Sequence, residues 1–273
     1  MGLEETRWLI LGTPFRCLGV PPEDRTDLEA LLQGFPRPDS PDGMVDFRVE
    51  REDGQGPFLS GGGNRWDLTG TADPLSTHLE YRLVDEAVRR ARDRWVLHAG
   101  AVAGPRGTCL VIGESGAGKT SLTLWLWANG RRLGTDDLCP IAHGSLAPEV
   151  FPRALHMDAE YSPRLMAKIP PRPASYPADY YPFPERGGAA PMPPVSDLLV
   201  LERGPRPEGE VEALSQSEAT HHLLKAVIKN PAFDFGNALQ DMLRLAAGCR
   251  AHRLRASTPE GAGDRAQEIL TAD

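Results

Sequence analysis

One eight-residue run, Gly113-Glu114-Ser115-Gly116-Ala117-Gly118-Lys119-Thr120, constrains this chain more than any other segment. Its pattern is G-x-x-x-x-G-K-T. Small residues at these positions let backbone N–H groups turn inward around a di- or triphosphate. The lysine supplies a point charge for the β- and γ-phosphates, and the threonine offers its hydroxyl to Mg²⁺. The flanks agree. Cys109-Leu110-Val111-Ile112 is a short apolar run of the kind a buried parallel strand carries. Residues 120–128 hold neither Pro nor Gly and read as a helix, whose N-terminus would then face the phosphates. The expected fold class is α/β: a P-loop-containing sheet with flanking helices, preceded by a small N-terminal mixed α+β module. Residues 113–120, with Ser121 behind them, are the expected nucleotide contacts, and Lys119 also counts among the catalytic candidates.

Composition narrows the partners. The 273 residues suffice for one large α/β domain, or for a core domain with a smaller companion. A formal net charge of −8 argues against a general nucleic-acid binder. The sequence has no apolar run of about 18 residues, so no membrane-crossing helix is predicted. Residues 1–20 carry Glu4, Glu5, Arg7 and Arg16 and lack the basic start and apolar centre of a secretion signal. Cys17, Cys109, Cys139 and Cys249 show no C-x-x-C spacing. They read as reduced thiols, mostly buried, without a zinc site, and a reducing cytoplasm is the expected compartment.

The pattern divides the chain into a module over 1–92, a nucleotide domain over 93–256 and a polar, disorder-prone tail over 257–273. In the module, Trp8–Leu11 and Phe15–Leu18 read as short strands, and Val45–Val49 alternates as a half-buried strand does. Leu28, Leu31, Leu32 and Phe35 predict a short helix over 27–35, and Leu79, Leu83, Ala87 and Val88 a longer one over 75–93. Leu59-Ser60-Gly61-Gly62-Gly63 resembles a transporter-ATPase signature, but it lies upstream of the phosphate loop and reads as a turn. Trp95–Val102 is expected as one core strand and Val195–Leu201 as another. Helices are expected over 217–229 and 237–248. Ahead of the strand over 195–201, residues 170–194 are crowded with Pro, hold Tyr176, Tyr180, Tyr181 and Phe183, and end in Gly187-Gly188-Ala189-Ala190. That stretch reads as a loop, either plain surface or a lid beside the phosphate site.

Several features accompany the loop. Asp136-Asp137 follows Arg132-Leu133-Gly134-Thr135; two acids at a strand end beside a phosphate loop can divide the work, one coordinating Mg²⁺ and the other taking a proton from an attacking hydroxyl. His98 lies on the strand ahead of the loop, where neighbouring strands deliver side chains to one edge of a sheet. Glu149 could complete a metal shell and Arg153 could face transferred charge. Arg164, Lys168 and Arg172 are weaker candidates for lid cations.

The order Leu97-His98-Ala99-Gly100-Ala101-Val102, then Gly113–Thr120, then Gly134-Thr135-Asp136-Asp137 resembles the C-terminal catalytic domain of the HPr kinase/phosphorylase family. The resemblance covers 95–153 well. It implies ATP in the loop, Asp136 as base toward a serine hydroxyl, His98 as its orienting partner, and Thr120 and Asp137 near Mg²⁺. That family's second signature, Glu-Val-Arg-Gly-Leu-Gly, is represented only by Glu149-Val150 with Arg153 displaced. The chain is therefore more similar to the broader HPr-kinase-related group, some members of which phosphorylate a serine of a ribosomal precursor peptide during lasso-peptide biosynthesis.

The expected function is thus an ATP-dependent kinase acting on a hydroxyl, with a peptide or small-protein acceptor, no nucleic acid, no membrane, and homo-oligomers as in relatives. The alternatives are a nucleotide-binding ATPase or switch module, and a small-molecule kinase with the same core. No Asn-Lys-x-Asp motif is present to read a guanine.

Overall fold

A computed structural model describes residues 5–51, 57–69, 74–157, 163–169, 171–174, 176–177, 179–184, 191–206 and 209–271. The chain is a mixed α/β protein whose sheets combine parallel and antiparallel strands. Its elements begin with β1 (Glu5–Ile10), β2 (Thr13–Leu18), α1 (Pro22–Leu31), β3 (Val45–Arg51), β4 (Pro57–Gly61), β5 (Asn64–Asp67) and α2 (Leu75–Arg90). There follow β6 (Arg94–His98), β7 (Gly100–Gly104), β8 (Gly107–Gly113), α3 (Lys119–Ala128), β9 (Arg132–Thr135) and β10 (Leu138–Ala142). The next are β11 (Leu155–His156), α4 (Pro163–Met166), β12 (Tyr180–Tyr181), β13 (Val195–Arg203) and β14 (Glu210–Ala213). The last are α5 (Gln216–Ala226), α6 (Phe235–Ala247), β15 (Arg250–Ala256) and α7 (Pro259–Thr271).

Two compact units form. The first comprises Met1–Ala91, Arg153–Met157 and Arg172–Phe183; the second comprises Arg92–Pro152, Asp158–Pro171 and Pro184–Asp273.

The first unit is built on the sheet β1-β2-β3-β4-β5, antiparallel except for the parallel β2–β3 pair that α1 connects. Alternation along β1 buries Thr6, Trp8 and Ile10. α1 starts five residues before the apolar spacing predicts, because Pro22 fits the first helical position and Glu23 and Asp24 complement the helix N-terminus. Gly62 and Gly63, with φ of 56° and 83°, make the β4–β5 turn that the glycine run announced. α2 buries Leu79, Leu83, Ala87 and Val88.

The second unit is built on a six-stranded sheet, order β14-β15-β13-β8-β7-β9. β8, β13 and β15 are parallel, while β7 runs against β8 and β9 against β7. β9 consequently points the same way as β8. Leu110 and Ile112 of β8 share one apolar core with Leu198 and Val200 of β13, Leu223 of α5 and Met242 of α6.

Two expectations are corrected in this unit. The single strand expected over 95–102 is two: β6 pairs with β10 in a small separate sheet, and β7 enters the main one. The break comes at Ala99-Gly100, where a Cβ on Gly100 would run into the Thr123 side chain of α3, so only glycine allows β7 to begin there. The polar tail is the other. Residues 259–271 form α7, which buries Ala262, Gly263, Ala266 and Leu270. Its inner face is made of small residues, which carry little apolar signal yet let the helix come close: a Cβ on Gly263 would strike the Trp125 indole of α3. Asp197, only 2 % exposed, accepts from Arg250 at 3.0 and 3.1 Å. The same guanidinium donates to the Ile269 carbonyl at 3.0 Å and so ties the end of α7 to the sheet.

Candidate nucleotide and phosphoryl-transfer site

Strand direction assembles the site. Gly100 at the start of β7 pairs with Val111 near the end of β8, Ala101 pairs with Thr135 at the end of β9, and Leu201 of β13 pairs with Gly113. The loops after β8, β9 and β13 and the corner before β7 therefore share one edge of the second unit's sheet. Ligands of α/β sheets bind at such an edge.

The glycine run forms the connection from β8 to α3. Gly118 caps α3 in the left-handed region, at φ 98°, where a residue with a side chain is strained. At Gly113 a Cβ would collide with the Leu201 carbonyl, so the loop lies directly against β13. Lys119 is 6 % exposed, and its ammonium folds back to donate to the carbonyls of Gly113 and Glu114, both at 3.1 Å. Burial pushes its pKa down, and the nearby Asp137 carboxylate opposes that shift. Thr120 and Ser121 follow, half-buried, in the first turn of α3.

His98 ends β6, and its Nδ1 lies 3.0 Å from Asp137 Oδ1. The corner is held by the Ala99 amide donating to the Asp137 carbonyl at 2.9 Å, and by the pairing of His98 with Leu138. Asp136 is 6 % exposed, whereas the Asp137 side chain is 32 % exposed. The resemblance gave His98 to Asp136; the contact seen is with Asp137, because the residue after β9 turns inward and the next one turns out at the sheet edge.

A cavity of ≈ 670 Å³ opens on this edge. Its lining includes His98, residues 113–117, Arg203 at the end of β13, and His222 and Lys225 of α5. Arg203 Nε donates to the Gly116 carbonyl at 3.1 Å. Sequence reasoning missed Arg203, His222 and Lys225. Arg203 was within reach of it, since a parallel strand beside β8 must deliver its C-terminal residues to the loop. The helical residues depend on packing.

Other expected participants are engaged elsewhere. Glu149 accepts from Arg94 at 2.5 Å, at the far end of β6 from His98, which removes the support for it as a metal ligand. Arg153 belongs to the first unit, where its guanidinium is bidentate to Glu80 at 2.6 and 2.9 Å; that pairing withdraws it from nucleotide binding as expected from sequence. Lys168 donates to Asn129 at 2.8 Å, and Arg172 to the Tyr176 and Pro177 carbonyls. The side chain of Arg164 lies outside the described residues, as do Gly187-Gly188-Ala189-Ala190. In the first unit, Tyr176 and Phe183 are buried, and Tyr180-Tyr181 pairs with Leu155-His156.

Among the described residues, no group of three His, Cys, Asp or Glu side chains is placed to hold a metal. Mg²⁺ does not require one: it takes one or two carboxylates, phosphate oxygens and water, and the Thr120 hydroxyl in the first turn of α3 is one oxygen that would serve it. Among the described residues, no helix is long and apolar enough to cross a membrane.

No protein-family model matches the chain, and no curated protein matches it.

Proposed function

We propose that the chain is an ATP-dependent kinase that transfers the γ-phosphoryl group to a hydroxyl, that of a serine in a peptide or small protein, as the HPr-kinase-related group does. The observation that carries this reading is the His98–Asp137 pair on the same sheet edge as the Lys119 loop. A module that only binds nucleotide needs the loop but no proton acceptor beside it, whereas transfer to a hydroxyl needs both.

The chain's own groups account for the reaction. Loop amides and Lys119 hold the phosphates. Arg203, anchored on Gly116, adds positive charge at the loop. The acceptor oxygen bonds to the γ-phosphorus as the bond from phosphorus to the β–γ bridging oxygen breaks, and ADP leaves with that oxygen. The hydroxyl proton passes to a carboxylate. Asp137 is the acid a hydroxyl can reach, and His98 orients it; Asp136 supports the turn from within. Bound Mg²⁺ would neutralise charge on the β- and γ-oxygens.

The test is transfer of label from γ-labelled ATP to a panel of serine peptides, followed by mass mapping of the modified residue. Labelled peptide from the wild type and none from Lys119→Ala supports the proposal. Hydrolysis without transfer to any hydroxyl, peptide or small molecule, would indicate a switch ATPase instead.

A further inference from the structure

The cavity beside the loop is lined by two cations, Arg203 and Lys225, that the loop itself does not supply. Several arginines of the second unit are bound to acids: Arg250 and Arg106 to Asp197, Arg253 to Glu202 and Glu212, Arg255 to Glu202. Arg203 and Lys225 differ. Among the described residues, Arg203 donates to the Gly116 carbonyl and neither it nor Lys225 has a carboxylate partner. Both are exposed and both line the same cavity. His222, one helical turn from Lys225, joins them there.

Carboxylates on the same lining do not fully cancel this charge. Glu202 is held by Arg253 and Arg255 at 3.1 and 3.0 Å, which leaves Glu114 as the acid facing Arg203 and Lys225. Cations gathered round a cavity repel one another, and the arrangement persists at low cost when an anion enters to neutralise it. An arginine fork and a lysine point charge facing one space are the side chains that hold a phosphoryl group.

We infer that Arg203 and Lys225, with His222, form a second oxyanion subsite for a phosphoryl group, distinct from the Lys119 cradle and on the His98 side of it. The inference rests on the nucleotide reading above. Two sources share this chemistry: the γ-phosphoryl group of the nucleotide, and an anionic group carried by the acceptor.

Equilibrium dialysis of the full chain against radiolabelled inorganic phosphate tests it, because the probe needs neither acceptor nor turnover. Two phosphates per wild-type chain are expected. Lys119→Ala should lose one, and the pair Arg203→Gln with Lys225→Gln the other. Far-ultraviolet circular dichroism checks that each variant is folded; Lys225→Arg, which keeps the charge, should retain both sites. Saturating a non-hydrolysable ATP analogue separates the sources. No phosphate left bound assigns the subsite to the γ-phosphoryl group, and one left bound assigns it to the acceptor. One site or none in the wild type overturns the inference. So does a double variant that binds as the wild type does, an outcome that leaves the nucleotide reading standing if Lys119→Ala still loses its phosphate.

Discussion

The imidazole of His98, on the last residue of β6, stands 3.0 Å from the Asp137 carboxylate, two residues past β9. The two strands belong to different sheets, joined at the Ala99-Gly100 break and at the Ala99–Asp137 backbone hydrogen bond. The pair is thus held by backbone on both sides, which fixes its orientation without a bound ligand.

Asp137→Asn should lower kcat for phosphoryl transfer about 10²- to 10⁴-fold, the range for removing a general base, and leave the Kd of ATP within a few-fold. Asp136→Asn should act mainly on stability, since that side chain is buried. Single-turnover transfer and ATP titration of both variants separate the roles. A dead Asp136→Asn enzyme with full stability, beside an active Asp137→Asn one, would return the base to Asp136.

Glu80 is 1 % exposed at its side chain and pairs with an Arg153 that is 19 % exposed. Glu80→Ala leaves the guanidinium without its partner and should cost about 3–5 kcal/mol in the first unit. Urea unfolding followed by tryptophan fluorescence would show it as a lowered midpoint. ATP affinity should not change, since Arg153 is committed to Glu80.

Gly263→Leu should destabilise the second unit. The substitution gains at most about 1 kcal/mol in helix propensity. Against that, the new side chain enters the Trp125 ring, and overpacking of this kind costs about 1–3 kcal/mol. Thermal unfolding should begin earlier, with α7 the first segment to lose amide protection in hydrogen exchange.

Burial, then the positive charge of Arg253, lowers the pKa of His222 from its usual 6.5; Lys225 and His221 add to the effect and Glu202 works against it. The folded chain then binds fewer protons than the unfolded one between about 6.5 and the lower folded value. Stability contributed here is full above the unfolded pKa and falls as pH drops through that window. His222→Gln should flatten the dependence of the unfolding midpoint between pH 7 and 5. A steeper slope in the variant would contradict the assignment.

The glycine run and its flanks were legible because each step has a local cause. An apolar run before small residues predicts β8, and the absence of breakers predicts α3. The helices α2, α5 and α6 and the strands β1, β3 and β13 showed themselves through periodicity. α7 did not, because Ala262, Gly263 and Ala266 fit a close contact while adding little hydropathy. β15, read as RAHRLRA, hides a sheet strand in charges that pair across to Glu202 and Glu212.

By itself, the sequence determined the shape of the glycine loop ahead of α3, since glycine conformations, the lysine and the threonine act within one turn of chain. Tertiary structure alone decided which acid His98 meets, that Glu149 and Arg153 serve as ion-pair partners, and that Arg203 and Lys225 face the loop. Those relations depend on strand order and direction, which bring together residues up to about a hundred positions apart along the chain, and no local pattern records a partner at that separation.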